Sequence, residues 1–189
     1  GKLHQKEVIA VKSGVGKVNA AMCTQILIDI FKVSSLIHVG VAGAVHPDLE
    51  IGDIVISEDS CQYDMDARAF GHPRGEIPNM DITFFKAETA AQELKVNYRI
   101  GRVMTADLGV DSHKLKEELR QEFGGLCVEM EGAAVGQVAM LNQVPYLVIR
   151  SMSDKADSNL TDDYKANLEA SIKNGVAMVL RMVQGVTMA

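Results

Sequence analysis

The stretch from Leu126 to Asp157, LCVEMEGAAVGQVAMLNQVPYLVIRSMSDKAD, constrains the fold more than any other part of the chain. It reads as a short apolar strand, Leu126 to Glu131, that ends in acid, followed by a helix of small and apolar residues. After Pro145 a second buried strand, Tyr146-Leu147-Val148-Ile149, runs into Arg150-Ser151-Met152-Ser153-Asp154. Two strands joined by a crossover helix pair in parallel, and open α/β sheets take ligands at the carboxyl ends of such strands. Glu129, Glu131, Ser153 and Asp154 all fall at those ends. A carboxylate where a buried strand meets a pocket is a candidate for acid–base or hydroxyl-binding work. In a strand Glu129 and Glu131 share a face and in a helix they point nearly oppositely. The junction falls between them, so the pattern alone leaves open which of the two faces a ligand.

The remainder alternates strand and helix. Glu7 to Lys12 reads as a strand, closed by the turn Ser13-Gly14-Val15-Gly16. Lys17 to Phe31 reads as a helix with Val18, Ala21, Met22, Ile26 and Ile30 on one face. The turn is not a phosphate loop: Val11 stands where the first glycine belongs, and Val18 follows Lys17 where Ser or Thr is needed. Leu36 to Gly40 forms a second buried strand that enters Val41-Ala42-Gly43-Ala44, whose small residues allow close backbone approach. Ile51 to Ser57 is a third strand. From Asp59 to Phe85 the pattern is irregular, with Pro73 and Pro78 amid Gly71 and Gly75, and so long a loop is usually functional or at an interface. Then come a helix from Phe85 to Leu94 and a strand from Arg99 to Met104. A helix capped by Asp111 or Ser112 runs to Phe123, and its face of Lys114, Lys116, Glu117 and Glu118 is expected to be solvated. A last helix spans Thr161 to Val183, with Asp162 and Asp163 in its dipole-favoured first turn and Met178 and Met182 in the core. The alternation predicts a three-layer α/β/α domain around a central mixed sheet.

Composition narrows the function. A chain of 189 residues with 47% hydrophobic content fits one domain with a substantial core. The net charge of −6, with no Lys/Arg cluster, gives nothing for nucleic acid to grip. No run is long enough for a membrane span. Cys23, Cys61 and Cys127 match no zinc spacing, and their odd number argues against a disulfide framework, so a cytoplasmic location and no metal or other cofactor are expected. The chain opens on Gly1 rather than Met, which points to a segment upstream.

Lys12-Ser13-Gly14-Val15-Gly16-Lys17-Val18, Val41-Ala42-Gly43, Gly52-Asp53-Ile54-Val55, Ala69-Phe70-Gly71, Val128-Glu129-Met130-Glu131 and Ser153-Asp154-x-Ala156-Asp157 together resemble the nucleoside phosphorylase superfamily. Within it the chain looks most like the methylthioadenosine/S-adenosylhomocysteine nucleosidases of methionine salvage. The resemblance implies cleavage of the bond between ribose and a purine, one phosphorylase-like domain over residues 1–189 lacking its first strand and helix, and a homodimer. It implies that Asp154, supported by Ser153, protonates the leaving adenine at N7, a task that favours a pKa pulled toward working pH. It selects Glu131 as acceptor of the ribose hydroxyls, with Glu129 beside it and Met130 packed against the sugar. Val110 would take the base edge, with Val41, Ala42 and Gly43 close to the ring. Tyr164 would close an apolar pocket over the 5′-alkylthio group, into which a partner subunit would insert Phe70 and Pro78.

Two departures stand out. Gly109, with Leu108 beside it, stands where these nucleosidases usually carry a phenylalanine that stacks on the purine. The family's water-activating glutamate follows its first strand, upstream of Gly1, so the resemblance implies the acid and the ribose ligand here but not the base. Phosphorylases of the superfamily hold phosphate with an arginine and a serine around the second strand, whereas His38 and Val41 occupy those places and grip a phosphate dianion poorly. Hydrolysis is therefore expected over phosphorolysis, with a purine nucleoside phosphorylase or a non-catalytic nucleoside-binding or storage protein as the alternatives.

Overall fold

Strand β7 (Tyr146–Asp154) is buried along its whole length, and the two faces of its pleat show how the rest is layered. Leu147 and Ile149 pack with Met178 and Met182 of helix α5 (Leu160–Gly185) and with Ala87, Ala90 and Ala91 of helix α2 (Ala87–Leu94). Tyr146, Val148 and Met152 turn the other way, toward Ala139 of helix α4 (Gly132–Leu141). Helix α1 (Lys17–Asp29) packs on α4 through Ala20 and Ala21 against Ala134 and Val135. An α/β chain with helices on both faces of a mixed sheet results. The computed structural model describes residues 1–75 and 87–185.

The sheet contains β3 (Leu36–Ala44), β4 (Ile54–Gln62), β5 (Tyr98–Thr105), β6 (Cys127–Glu129) and β7, and it closes on itself in the order β3-β6-β5-β4-β7. β6 and β7, the two strands joined through α4, do not pair with each other. β3 lies between them, parallel to β7 over its length and antiparallel to β6 at Gly43 and Ala44. A strand has two hydrogen-bonding edges, so β3 serves both neighbours, and the register shift at Ala42/Gly43 skips Ser153 of β7. Gly43 is thereby set between Val128 of β6 and Asp154 of β7.

The small residues of α4 make its deep seat possible. A Cβ on Gly136 would fall 2.6 Å from the Tyr146 ring, so only glycine lets the helix come so close. Helix α3 (His113–Phe123) starts at Ser112, whose hydroxyl accepts the Leu115 N–H at 3.3 Å, and stops at Gly124 in the left-handed region. Lys116 departs from the expected solvated face, because its ammonium donates to the Lys155 carbonyl at 2.5 Å and so ties α3 to the end of β7.

The N-terminal region differs most from the sequence reading. Regular pairing is confined to the hairpin of β1 (Lys2–Leu3) and β2 (Lys6–Glu7), and Val8 to Lys12 forms no strand. Val8 still exchanges backbone hydrogen bonds with Gly1, at 2.9 and 2.8 Å, but β-branched residues favour a strand only where a neighbour accepts their hydrogen bonds, and among the described residues no strand pairs with Ile9 to Lys12. Most of the apolar face read from periodicity is exposed, with Val18 at 78% and Ile30, just past the end of α1, at 70%; Ala21 alone of that face packs on α4, while Ala20 and Thr24 are buried. Periodicity identifies an apolar face but not what covers it. The irregular stretch begins after β4, which continues to Gln62, and contains a 3-10 turn at Arg68–Phe70.

Candidate active site

Asp154 closes β7, and its side chain is enclosed by partners close to it in sequence. One carboxylate oxygen accepts the Ala156 N–H at 2.9 Å and the other accepts the Ser153 hydroxyl at 2.9 Å. Ser153 also lies 3.3 Å from the Ala42 carbonyl, so a single hydroxyl is shared between β3 and the acid. Ala156, whose N–H meets the carboxylate, holds φ at 51°, a left-handed conformation costly for a residue with a Cβ. A Cβ on Gly43 would come 2.7 Å from Asp154, so the acid is reached across a glycine. Burial pushes the Asp154 pKa up, against the Ala156 and Ser153 hydrogen bonds, and the nearby charges of Asp163 and Asp157 push the same way.

The second carboxylate cluster lies where β6 enters α4. Glu129 is sealed in, and its oxygens accept the N–H of Glu131 at 3.0 Å and of Gly132 at 2.7 and 2.9 Å. It also accepts from the Thr105 hydroxyl and from the guanidinium of Arg150, whose Nε lies 3.1 Å away. Burial alone would raise its pKa, but the Arg150 charge and these donors outweigh burial and hold it below the usual value. Arg150 is itself buried in β7 and donates to Nδ1 of partly buried His38 at 3.0 Å. Loss of water around that ring, together with the Arg150 charge, lowers the His38 pKa to about 3, so the imidazole is neutral and accepts. Thr105 closes the network by accepting the Ala133 N–H at 2.9 Å.

Glu131 stands in front of this network as the N-cap residue of α4 and is only half-buried. Its Oε1 accepts the Gly16 N–H at 2.8 Å, and its Oε2 lies 3.7 Å from Arg150. Burial raises its pKa against the Gly16 hydrogen bond, the Glu129 charge raises it further, and Arg150 opposes. The structure thus separates the two glutamates that residue pattern left equivalent. Glu129 is consumed by internal partners; Glu131 keeps acceptor capacity.

Val41, Ala42 and Gly43 line the β3 side, with Ala42 buried. Val110 is buried beyond β5 in a loop held by the Tyr63 hydroxyl, which donates to the Leu108 carbonyl at 3.0 Å. A Cβ on Gly109 would meet Leu160 at 3.3 Å, so the start of α5 comes up against the position where an aromatic side chain was expected. Tyr164, one turn further along α5, is 40% exposed, and Met130 is half-buried between the two glutamates. Phe70 is not gathered with the rest; it stands 84% exposed on its 3-10 turn. Pro78 lies outside the described residues. Among the described residues no group of three or more His, Cys, Asp or Glu is arranged to hold a metal ion.

The phosphorylase superfamily model matches residues 1–184. The chain belongs to the phosphorylase superfamily. Among relatives, it is 36% identical over 193 residues to a 5′-methylthioadenosine/S-adenosylhomocysteine nucleosidase from Oceanobacillus iheyensis, covering 97% of this chain and 84% of that protein. Among solved structures of the superfamily, the nucleosidase from Neisseria meningitidis in complex with methylthio-immucillin-A superposes with a TM-score of 0.95 at 30% identity, covering 98% of this chain and 84% of that one. The futalosine hydrolase of Helicobacter pylori superposes with a TM-score of 0.90 at 35% identity, covering 97% and 82%.

Arg150, Thr105 and Gly16 escaped the sequence reading. Arg150 carried a signal, since a full charge in the middle of a buried strand requires a buried partner. Gly16 stands in a stretch that carries the resemblance, but nothing there pointed to Glu131, and Thr105 carried no signal, because their contacts join residues 115 and 24 positions apart.

Proposed function

We propose that this chain hydrolyses the N-glycosidic bond of 5′-methylthioadenosine and S-adenosylhomocysteine, releasing adenine and a 5-thioribose product. The observation that carries the reading is the pair of carboxyl groups, Asp154 and Glu131, whose ionisation burial opposes at the ends of two strands of a superfamily member. In this reading the C1′–N9 bond breaks with its electron pair passing to the base. Protonated Asp154 delivers a proton to N7 of the leaving adenine, water adds to C1′ and gives up a proton to solvent, and Asp154 is reprotonated from solvent for the next turnover. An enclosed acid with a raised pKa remains protonated nearer working pH, which suits it to that transfer. Ser153 holds Asp154 in place. Glu131 accepts the ribose hydroxyls, Met130 packs on the sugar, Val110 meets the base edge, and Val41, Ala42 and Gly43 approach the ring. Tyr164 covers the 5′-alkylthio group.

The working form is a homodimer, in which Phe70 and Pro78 of each chain complete the partner's pocket. The exposed face of Val18, Met22, Ile26 and Ile30 on α1 supports a homodimer, because so contiguous an apolar patch is characteristic of an interface. Replacing Met22 with Glu would yield a monomer in sedimentation if that face is the interface; an unchanged dimer would exclude it. The three free thiols suit a cytoplasmic location, and residues 1–189 act as one phosphorylase-like domain. Adenine release from methylthioadenosine in phosphate-free buffer tests the function. Release that requires phosphate would replace hydrolysis with phosphorolysis.

A further inference from the structure

We propose that Gly16 is a positioning residue for ribose recognition, its N–H orienting the Glu131 carboxylate; the inference rests on the role given to Glu131 above. Gly16 is the N-cap position of helix α1 and offers no side-chain cap. The first N–H groups of a helix have no intrahelical acceptor and need one from elsewhere. Here acceptors arrive from distant parts of the chain: Gly16 N–H donates to Glu131 at 2.8 Å, and Lys17 N–H donates to Asp107 at 2.8 Å.

The turn is locked in that position. The Lys17 ammonium donates to both oxygens of Asp64 at 2.7 and 2.9 Å and to Gln62 at 3.1 Å. Asp64 in turn accepts the Asp107 N–H at 3.1 Å. Gly16 has φ of 92°, and a Cβ there would lie 2.9 Å from Asp107, so a side chain is excluded by both conformation and space. Asp107 leads directly into Leu108-Gly109-Val110, so one turn joins the carboxylate that faces the sugar to the loop that faces the base.

The consequence is chemical. Glu131 is pushed toward protonation by burial and by Glu129 behind it. The Gly16 N–H binds one oxygen of the ionised form and fixes the plane of the carboxylate. The other oxygen, on the Arg150 side, and the remaining lone pairs are then presented to two sugar hydroxyls. A ligand with a ribose uses this arrangement; a free base does not.

Calorimetric titration of methylthioadenosine and of adenine into the wild-type chain, Gly16→Ala, Glu131→Gln and the double variant tests the inference. Gly16→Ala keeps the N–H, but its Cβ does not fit at φ 92° beside Asp107, so the turn moves and the hydrogen bond to Glu131 is lost. Losing a hydrogen bond to a charged group predicts roughly tenfold or greater weakening of methylthioadenosine binding, with adenine affinity falling clearly less. The double variant should bind no more weakly than the weaker single one, since both substitutions act through one group. Equal weakening of nucleoside and base, or fully additive losses, would overturn the role of Gly16. Unaltered nucleoside binding by Glu131→Gln would overturn the ribose role itself and the inference with it. A second measurement needs no variant: in 15N-labelled wild-type protein the Gly16 amide resonance should shift on adding methylthioadenosine and hold still on adding adenine. A Gly16 resonance indifferent to the nucleoside would refute the inference.

Discussion

The two ends of the candidate site are built on opposite plans. Asp154 is held by its sequence neighbours, Ser153 and Ala156, in a short stretch whose left-handed Ala156 folds the chain back on the carboxylate. Glu131 is held by groups far from it in sequence, Gly16 on α1 and Arg150 on β7. Burial raises the pKa of both. The difference shows that a proton donor and a hydroxyl acceptor need different supports. The acid needs a fixed position and a low-dielectric surrounding, which a local turn supplies. The acceptor must stay ionised while half-buried, and that takes donors and a cation brought in by the tertiary fold.

Substitutions that damage one plan and spare the other make the contrast sharper. The largest effect belongs to Asp154→Asn in the full-length protein. Adenine release should fall by roughly 10²–10⁴-fold, the usual worth of a positioned general acid, while nucleoside affinity stays within a few-fold. A rate within a few-fold of wild type would remove Asp154 as the acid.

Next comes Glu129→Gln. It leaves Arg150 buried opposite a neutral amide, and breaking a buried ion pair from one side costs about 3–5 kcal/mol. Urea unfolding should report that loss, and because Glu129 also binds the N–H groups of Glu131 and Gly132, ribose binding should weaken with it. A loss under about 1 kcal/mol would mean that the network contributes little to the fold.

Glu131→Gln follows, with nucleoside affinity reduced roughly tenfold or more and rate reduced as well, because the ribose contacts exist in both ground and transition states. An effect confined to the rate would move Glu131 from binding to chemistry.

The smallest effect is on stability and depends on pH. Because the native pKa of Asp154 lies above its unfolded value, the native state binds this proton more readily. Wild-type stability therefore falls as pH rises from the ordinary carboxylate range through the raised native pKa. Asp154→Asn carries no such charge, so at neutral pH it should be more stable than wild type by about 1 kcal/mol, as is common when a functional charge is removed. The gain should close as pH falls below the unfolded pKa, where both chains are neutral at this position. A gain that persists in acid would assign it to packing.

What could be read from the sequence follows the same division. The buried strands, α3 with its Ser112 cap and the core methionines of α5 show in patterns a few residues long, although the strands and methionines pack on distant elements. So does the Ser153–Asp154 end of the site. β3 inserted between β6 and β7 is set by long-range pairing, and Ile9 to Lys12 fail as a strand for want of a neighbour among the described residues. The support of Glu131 was hidden for the same reason: Gly16 reads as a plain turn glycine until the fold carries it to the end of β6.

The most direct test of the account is calorimetric titration of the wild-type chain, Glu131→Gln and Asp154→Asn with methylthioadenosine in phosphate-free buffer. Wild-type protein should bind saturably, Glu131→Gln roughly tenfold more weakly, and Asp154→Asn with an affinity within a few-fold of wild type. Absence of binding by a folded wild-type chain, or equal affinity in wild type and Glu131→Gln, would contradict the account.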